Sequence, residues 1–167
     1  MERAVFSISH CLPEEGTLNM TTQGAILIVE DSDEDYAVFS RIMKELNYPN
    51  PLYRVSDGDE ALNYLHQRGE YATPELAPRP TLILMDLNLP GTDGREVIKD
   101  IRQDDELNCI PIVVFTTSSS PKDIETCYRY GANSYMLKPI GIDLLEQTIR
   151  DFFQYWFRSV VLPTNEK

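Results

Sequence analysis

One stretch of the chain, residues 81–94, constrains the fold more than any other. Its apolar residues 82–85 end abruptly on a carboxylate, Asp86, and the turn pairs Pro90-Gly91 and Asp93-Gly94 follow. A short apolar run bounded by turn residues is typical of a buried strand. We therefore expect Asp86 at the carboxyl end of a buried strand, the edge where ligands bind in open α/β sheets. Taken alone, the pattern also fits a solvated aspartate at a strand end.

Strand-like and helix-like segments alternate five times along the chain. Strands are predicted at residues 25–29, 52–55, 82–85, 112–115 and 134–137. Helices are predicted at about 33–46, 59–68, 93–104, 121–130 and 143–160, and a Pro-rich loop at 69–80. This alternation predicts a parallel sheet with right-handed crossovers and helices on both faces. We expect one α/β domain over residues 24–162, a C-terminal tail at 163–167, and an N-terminal tail at 1–23 that is loose or lies upstream of the true start.

Capping residues predict where the helices begin. The predicted caps are Ser32 or Asp33, Asp57 with Glu60, Asp93 with Glu96, Ser120 before Pro121, and Asp143 with Glu146. Ser and Asp side chains accept the free N–H groups of a first helical turn, and a Glu three residues later completes a capping box. Proline is favoured at the first helical position.

Composition excludes several classes of partner. The formal net charge is −12, which argues against binding to nucleic acid or to an anionic membrane surface. No apolar run approaches the ~20 residues of a membrane span. Cys11, Cys109 and Cys127 are odd in number and widely spaced, which fits a reducing compartment, so we expect a cytoplasmic protein.

Reactive side chains follow four of the predicted strands. Glu30 and Asp31 follow the first strand, Asp86 the third, Thr116 the fourth and Lys138 the fifth. Parallel strands place all these ends on the same edge. If the strand order is 2-1-3-4-5, strands 1 and 3 flank the crevice of the sheet, and the three carboxylates meet there.

This set of side chains suits phosphoryl chemistry. Three neighbouring carboxylates repel one another unless a cation binds, and oxygen ligands suit Mg²⁺ or Mn²⁺. The Lys138 ammonium and the Thr116 hydroxyl can hold the charged oxygens of a phosphoryl group. Asp86 is the best nucleophile because an exposed turn follows it, and carboxylate attack gives an aspartyl phosphate. Each residue alone has a commoner role, Lys138 as a surface lysine and Thr116 as a cap or loop hydroxyl.

Four segments together resemble the receiver domain of response regulators across about residues 25–160. The segments are Ile-Leu-Ile-Val-Glu30-Asp31, Leu-Met-Asp86-Leu-Asn-Leu-Pro-Gly, Val-Phe-Thr116 and Leu-Lys138-Pro139. The resemblance implies a flavodoxin-like, doubly wound (βα)5 fold with the strand order 2-1-3-4-5. It also implies a cis peptide bond between Lys138 and Pro139.

The resemblance assigns a role to each matching residue. It implies that Asp86 is the phosphoacceptor and that Asp31 is a direct metal ligand. Glu30 would contact the metal through water, and Asn88 would be a ligand through its backbone carbonyl. Thr116 would be the switching hydroxyl, Lys138 the phosphate-binding lysine and Tyr135 the aromatic that changes rotamer. Two positions depart from the pattern. Glu30 is one methylene longer than the common Asp, and Thr117 is bulkier than the common Ala or Gly and would hinder Tyr135 from turning inward.

The chain is also similar to the small stand-alone regulators paired with cyanobacterial and other bacterial phytochrome kinases. This implies a phosphoacceptor protein that takes a phosphoryl group from a phytochrome-type histidine kinase. It would not be an enzyme beyond self-catalysed phosphotransfer and autodephosphorylation. We expect it to signal to an unknown downstream protein by contact, because nothing after Pro163 resembles an output domain.

Two other functions fit parts of the pattern. A metal-dependent phosphatase using Asp86 as nucleophile would need a general-acid carboxylate where Asn88 stands. A pseudo-receiver that acts only as a scaffold would not need the complete acid set or Lys138.

The last helix predicts a homodimer. Its apolar side chains spread over about 220° of its circumference, whereas packing on a sheet needs about 100°. Leu145, Ile149, Phe152 and Trp156 are expected against the sheet. The two-fold interface is expected to use Phe153, Tyr155, Trp156, Phe157 and Val160. The alternative is that neighbouring elements of the same chain cover the flanks of this helix.

Overall fold

The computed structural model describes residues 24–163, so the tail predicted at 1–23 and most of that at 163–167 lie outside the described residues. The strands are β1 (Ala25–Val29), β2 (Leu52–Val55), β3 (Pro80–Met85), β4 (Ile112–Thr116) and β5 (Ser134–Leu137). The helices are α1 (Asp33–Glu45), α2 (Gly58–Leu65), α3 (Gly94–Gln103), α4 (Pro121–Arg129) and α5 (Ile142–Gln154). A 3₁₀ turn at Gly69–Tyr71 lies in the predicted loop, and a π-helical turn at Tyr155–Ser159 continues α5.

The five strands form one parallel sheet in the order β2-β1-β3-β4-β5, which confirms the predicted fold. Its register sets the neighbours at the carboxyl edge. Val29 at the end of β1 lies opposite Met85 at the end of β3. Thr116 at the end of β4 lies opposite Leu137 at the end of β5. The residues that follow these strand ends are therefore brought together.

Two hydrophobic clusters cover the two faces of the sheet. One joins the inner faces of α2, α3 and α4 to alternate residues of the strands, such as Leu27 and Ile83. The other joins α1 and α5 to the intervening strand residues, such as Ile26 and Leu82. Because β1, β3 and β4 are buried on both faces, their sequences are almost entirely apolar, with Thr81 and Thr116 as the polar residues. In residues 24–163 no helix is both long and apolar enough to span a membrane.

Most of the predicted helix starts are confirmed, and one is wrong. Ser32, Asp57, Asp93 and Ser120 each accept a backbone N–H of the first turn that follows. Helix α5 instead begins at Ile142, and the Asp143 side chain does not cap it. Gly141 precedes it with φ +102°, a conformation that favours glycine, and the Gly141 carbonyl accepts the Leu145 N–H at 3.1 Å.

Helix α2 is also shorter than predicted. This helix ends at Leu65 rather than near residue 68, because the chain turns at Gln67 with φ +52°. The peptide bond between Lys138 and Pro139 is trans, so the expected cis bond is wrong for this structure.

The last helix packs as predicted on the sheet, but part of its predicted interface is buried within the chain. Leu145, Ile149, Phe152 and Trp156 are buried. The Phe153 side chain is 0% exposed, because Tyr48, just after α1, stacks on it with ring centroids 5.0 Å apart. The Tyr48 hydroxyl also donates to the Phe153 carbonyl at 3.2 Å.

The prediction that Phe153 lies on a free flank is therefore wrong, and Trp156, which was expected both against the sheet and in the interface, is buried. Of the five residues proposed for the interface, Tyr155 is 56% exposed, while Phe157 and Val160 are half-buried against the cluster beneath α1 and α5. The expected alternative, that the same chain covers this flank, holds for Phe153.

A half-buried arginine, Arg102, links the segments that lead into the amino ends of β4 and β5. The Arg102 guanidinium, on α3, donates to the carbonyls of Asn108, Ile110 and Gly131 and to the Asn133 side chain, at 2.8–3.0 Å. Burial lowers the pKa of Arg102 from its usual value. This side chain links the connections that lead into β4 and β5.

Replacing Phe153 with Ala tests the packing between α1 and α5. We expect the free energy of unfolding to fall by about 3–5 kcal/mol, the usual cost of a cavity left by a buried Phe. Chemical denaturation followed by circular dichroism measures the change. Tyr155→Ala is the control, and it should cost less than about 1 kcal/mol because its ring is 56% exposed. Equal losses in the two variants would contradict the packing described here.

Candidate functional site

The predicted acidic cluster forms at the carboxyl edge of the sheet. Carboxylate oxygens of Glu30, Asp31 and Asp86 all lie within 4.8 Å of one another. Glu30 and Asp86 are buried, whereas Asp31 is exposed. The register of β1 with β3 produces this juxtaposition, because Glu30 and Asp86 each follow the last paired residue of their strands.

The Lys138 ammonium lies among the carboxylates. Its Nζ atom is 2.6 Å from Glu30 Oε2, 2.7 Å from Asp86 Oδ2 and 2.9 Å from Asp35 Oδ2. The side chains of Lys138, Glu30 and Asp86 are only 5–8% exposed. These ion pairs are therefore largely removed from water. The attraction between opposite charges is stronger in such a buried setting than at a surface.

Burial and pairing shift the pKa values of this group. Burial raises the pKa of Glu30 above its usual value, although the hydrogen bond from Lys138 opposes the change. Burial by itself lowers the pKa of Lys138, but the hydrogen bonds to Asp86 and Glu30 outweigh it and raise the pKa. We conclude that Lys138 is a cation at neutral pH.

The three carboxylates fit a divalent cation. All the side-chain atoms of this cluster that could bind a metal are oxygen atoms, the ligands preferred by Mg²⁺ and Mn²⁺. One acid is exposed and two are buried, so the cluster is open to solvent on the Asp31 side. An ion bound here would need Glu30 and Asp86, the residues that pair with Lys138.

Backbone groups fix the orientation of Asp86. The N–H groups of Leu87 and Asn88 donate to Asp86 Oδ1 at 2.5 and 3.2 Å. Its other oxygen, Oδ2, accepts from Lys138. Gly94 allows the start of α3 to approach closely, because a Cβ atom at this position would lie 2.3 Å from the Asp86 carbonyl oxygen. The predicted use of the Asn88 carbonyl as a ligand stays a prediction.

Thr116 and Tyr135 are joined through the loop after β4. Thr116 is fully buried, and its hydroxyl oxygen accepts the Ser118 N–H at 3.4 Å. The half-buried Tyr135 donates its hydroxyl to the Ser118 carbonyl at 2.9 Å. Thr117 is exposed, and whether it hinders Tyr135 stays a prediction. The Ser118 hydroxyl continues the network to Asp123 of α4 at 2.6 Å.

Sequence reasoning missed two residues at the site. Asp35, in the first turn of α1, is the third partner of Lys138. Arg54 of β2 donates to the carbonyls of Glu30 and Asp31 at 2.9 and 3.0 Å and thus holds the chain that carries both acids. The sequence did contain one signal for each: Asp35 lies one helical turn after Asp31, and Arg54 is a charged residue inside a strand.

Comparisons with known proteins find relatives that share this fold. Response regulator Rcp1 of Synechocystis sp. is 39% identical over 138 residues, which cover 83% of this chain and 92% of Rcp1. The crystal structure of the Mn²⁺-bound form of Rcp1 has a TM-score of 0.79 at 38% identity and covers 84% of this chain and 99% of that one. The crystal structure of the phosphorylated cyanobacterial phytochrome response regulator RcpA has the same score and identity, and covers 84% and 98%.

A family model also matches most of the chain. Residues 26–150 fit the response regulator receiver domain, a range that includes every residue of the acidic cluster as well as Lys138, Thr116 and Tyr135. The chain therefore belongs to the response regulator receiver domain family.

Proposed function

We propose that this protein accepts a phosphoryl group on Asp86 from a histidine kinase and signals through the resulting change in its surface. The observation that carries the proposal is the position of Asp86, which is oriented by two backbone N–H groups and paired with a buried lysine at 2.7 Å. An O–P bond would form at an Asp86 oxygen as the P–N bond to the kinase histidine breaks.

The residues around Asp86 have separate tasks in this proposal. A divalent cation held by Glu30, Asp31 and Asp86 would supply positive charge against the oxygens of the phosphoryl group. Lys138 lies 2.7 Å from Asp86 and brings a second, fixed positive charge to the same oxygens. In this proposal the backbone carbonyl of Asn88 would be a further ligand of the cation.

The change would reach the surface through the loop after β4. Thr116 holds the Ser118 N–H, and Tyr135 holds the Ser118 carbonyl. A Thr116 hydroxyl that turns to a phosphoryl oxygen gives up its contact with Ser118. The loop then moves, and with it Asp123 of α4, which the Ser118 hydroxyl contacts. A downstream protein would recognise this altered surface.

The relatives support a phytochrome-type kinase and a divalent cation. RcpA is described as a phosphorylated cyanobacterial phytochrome response regulator, and Rcp1 was crystallised with Mn²⁺. We propose a phytochrome-type kinase and Mg²⁺, with Mn²⁺ as a substitute, for this chain as well. The net charge of −12 makes nucleic acid and anionic membranes poor partners.

The phosphoacceptor can be tested by mass spectrometry. Asp86→Asn should abolish labelling by acetyl phosphate and Mg²⁺, because the amide is a far weaker nucleophile than the carboxylate. Intact-mass measurement gives the labelled fraction. Asp105→Asn removes the same charge at an exposed position and should label like the wild type. Wild-type labelling of the Asp86 variant would disprove the assignment.

The buried lysine can be tested by denaturation without divalent cations. Lys138→Met should lower the free energy of unfolding by about 3–5 kcal/mol, because it leaves Glu30 and Asp86 buried without a counter-charge. Lys99→Met is the control, since Lys99 forms an exposed pair with Glu96 and should contribute little. Added Mg²⁺ should restore part of the loss in the Lys138 variant. Equal stability of the two variants would contradict the role of the buried pairs.

A two-fold homodimer through the last helix stays a prediction, now centred on its exposed residues. Tyr155 is 56% and Leu144 61% exposed. Sedimentation at micromolar concentration should show a dimer for the wild type and a monomer for Leu144→Glu/Tyr155→Glu. Leu76→Glu, at an equally exposed apolar residue elsewhere, should stay dimeric. A monomeric wild type, or a dimeric double variant, would reject this interface.

A further inference from the structure

The ammonium of Lys138 and a divalent cation compete for the same oxygens. The ammonium has three N–H donors, and three carboxylates surround it, those of Glu30, Asp86 and Asp35. Glu30 and Asp86 also belong to the cluster that fits a metal ion, whereas Asp35 does not. A cation that takes these two acids therefore removes two of the three partners of Lys138.

The displaced ammonium still needs a counter-charge. The Lys138 side chain is only 6% exposed, so water alone cannot replace its lost partners, and an unpaired buried charge is costly. Two cations that share the same oxygens also repel each other. The affinity of the cluster for a cation must therefore depend on where the ammonium can go.

Asp35 is the partner that a bound cation leaves in place. Its Oδ2 atom is 2.9 Å from Lys138 Nζ, and its side chain is 30% exposed, so the pair lies at the rim of the site. Asp35 lies in the first turn of α1, which begins at Asp33, and its carboxylate lies beside the acidic cluster rather than within it.

We propose that Asp35 is a positioning residue that retains the Lys138 ammonium when a divalent cation takes Glu30 and Asp86, and that it thereby raises the affinity of the site for the cation. The inference rests on the proposed function, because it assumes that the acidic cluster binds Mg²⁺. Asp35 lies outside the acidic cluster, and it contributes to the affinity for the cation through its ion pair with Lys138.

A simpler effect must be separated from this one, since any nearby acid attracts a cation. Asp33 provides the matched control. It lies in the same first turn of α1 and carries the same charge, but it is 91% exposed and pairs with Arg54 at 2.6 Å. Asp33→Asn and Asp35→Asn therefore make the same change in net charge and in the charge at the start of the helix.

The experiment measures the Mg²⁺ dissociation constant by isothermal titration calorimetry on the full chain. The variants are Asp33→Asn, Asp35→Asn, Lys138→Gln and the double variant Asp35→Asn/Lys138→Gln. We expect Asp35→Asn to raise the dissociation constant about tenfold and Asp33→Asn at most about twofold. In the Lys138→Gln background, Asp35→Asn should raise it at most about twofold, because the ammonium that Asp35 retains is gone. Thermal melting of each variant verifies that it is folded.

Two results would overturn the inference while leaving the proposed function intact. In the first, Asp35→Asn and Asp33→Asn weaken binding equally, so that Asp35 acts only as one more surface charge. In the second, Asp35→Asn has the same effect with and without Lys138, so that it acts on the cation directly. A folded wild type that binds no Mg²⁺ would overturn both the inference and the metal dependence of the proposed function.

Discussion

The site depends on one buried cation, the ammonium of Lys138. Without it, two carboxylates with 5–8% exposed side chains would face each other with no counter-charge. Like charges at this distance cannot both stay ionised at low cost. The ammonium supplies the counter-charge for Glu30 and Asp86, and it joins three separate segments of the chain, the ends of β1, β3 and β5. The folding of the edge and the chemistry proposed for it rely on the same ion pairs.

The strands and the site residues at their ends could be predicted from the sequence, because both depend on the same short segments. Apolar runs that end on Glu30, Asp86 and Lys138 predicted both the strands and the edge where these side chains meet. The strand order came with the family resemblance, and the pairing of β1 with β3 then explains why the acids lie together. These features were predictable because each depends on a short segment of chain and on the common direction of parallel strands.

Features that depend on distant contacts were missed. Asp35 resembles an ordinary acid at a helix start, and only the fold brings Lys138, 103 residues further along, within 2.9 Å of it. Helical periodicity placed Phe153 on a free flank because it contains no information about Tyr48, which covers that flank from the end of α1. The start of α5 was misplaced for a local reason, since Gly141 begins the helix through its backbone conformation and not through a capping side chain.

The two edges of the sheet are held by different kinds of bond. At the edge where β4 and β5 begin, Arg102 donates to three carbonyls and one amide side chain, and no ligand of the proposed reaction competes for those acceptors. At the opposite edge, the bonds are ion pairs among groups that a metal or a phosphoryl group would also bind. We therefore expect the edge held by Arg102 to stay fixed when the opposite edge rearranges. A rearrangement near Asp86 would tilt the loops and helix ends on its own side of the molecule, and its amplitude would fall off along the strands toward the clamped edge.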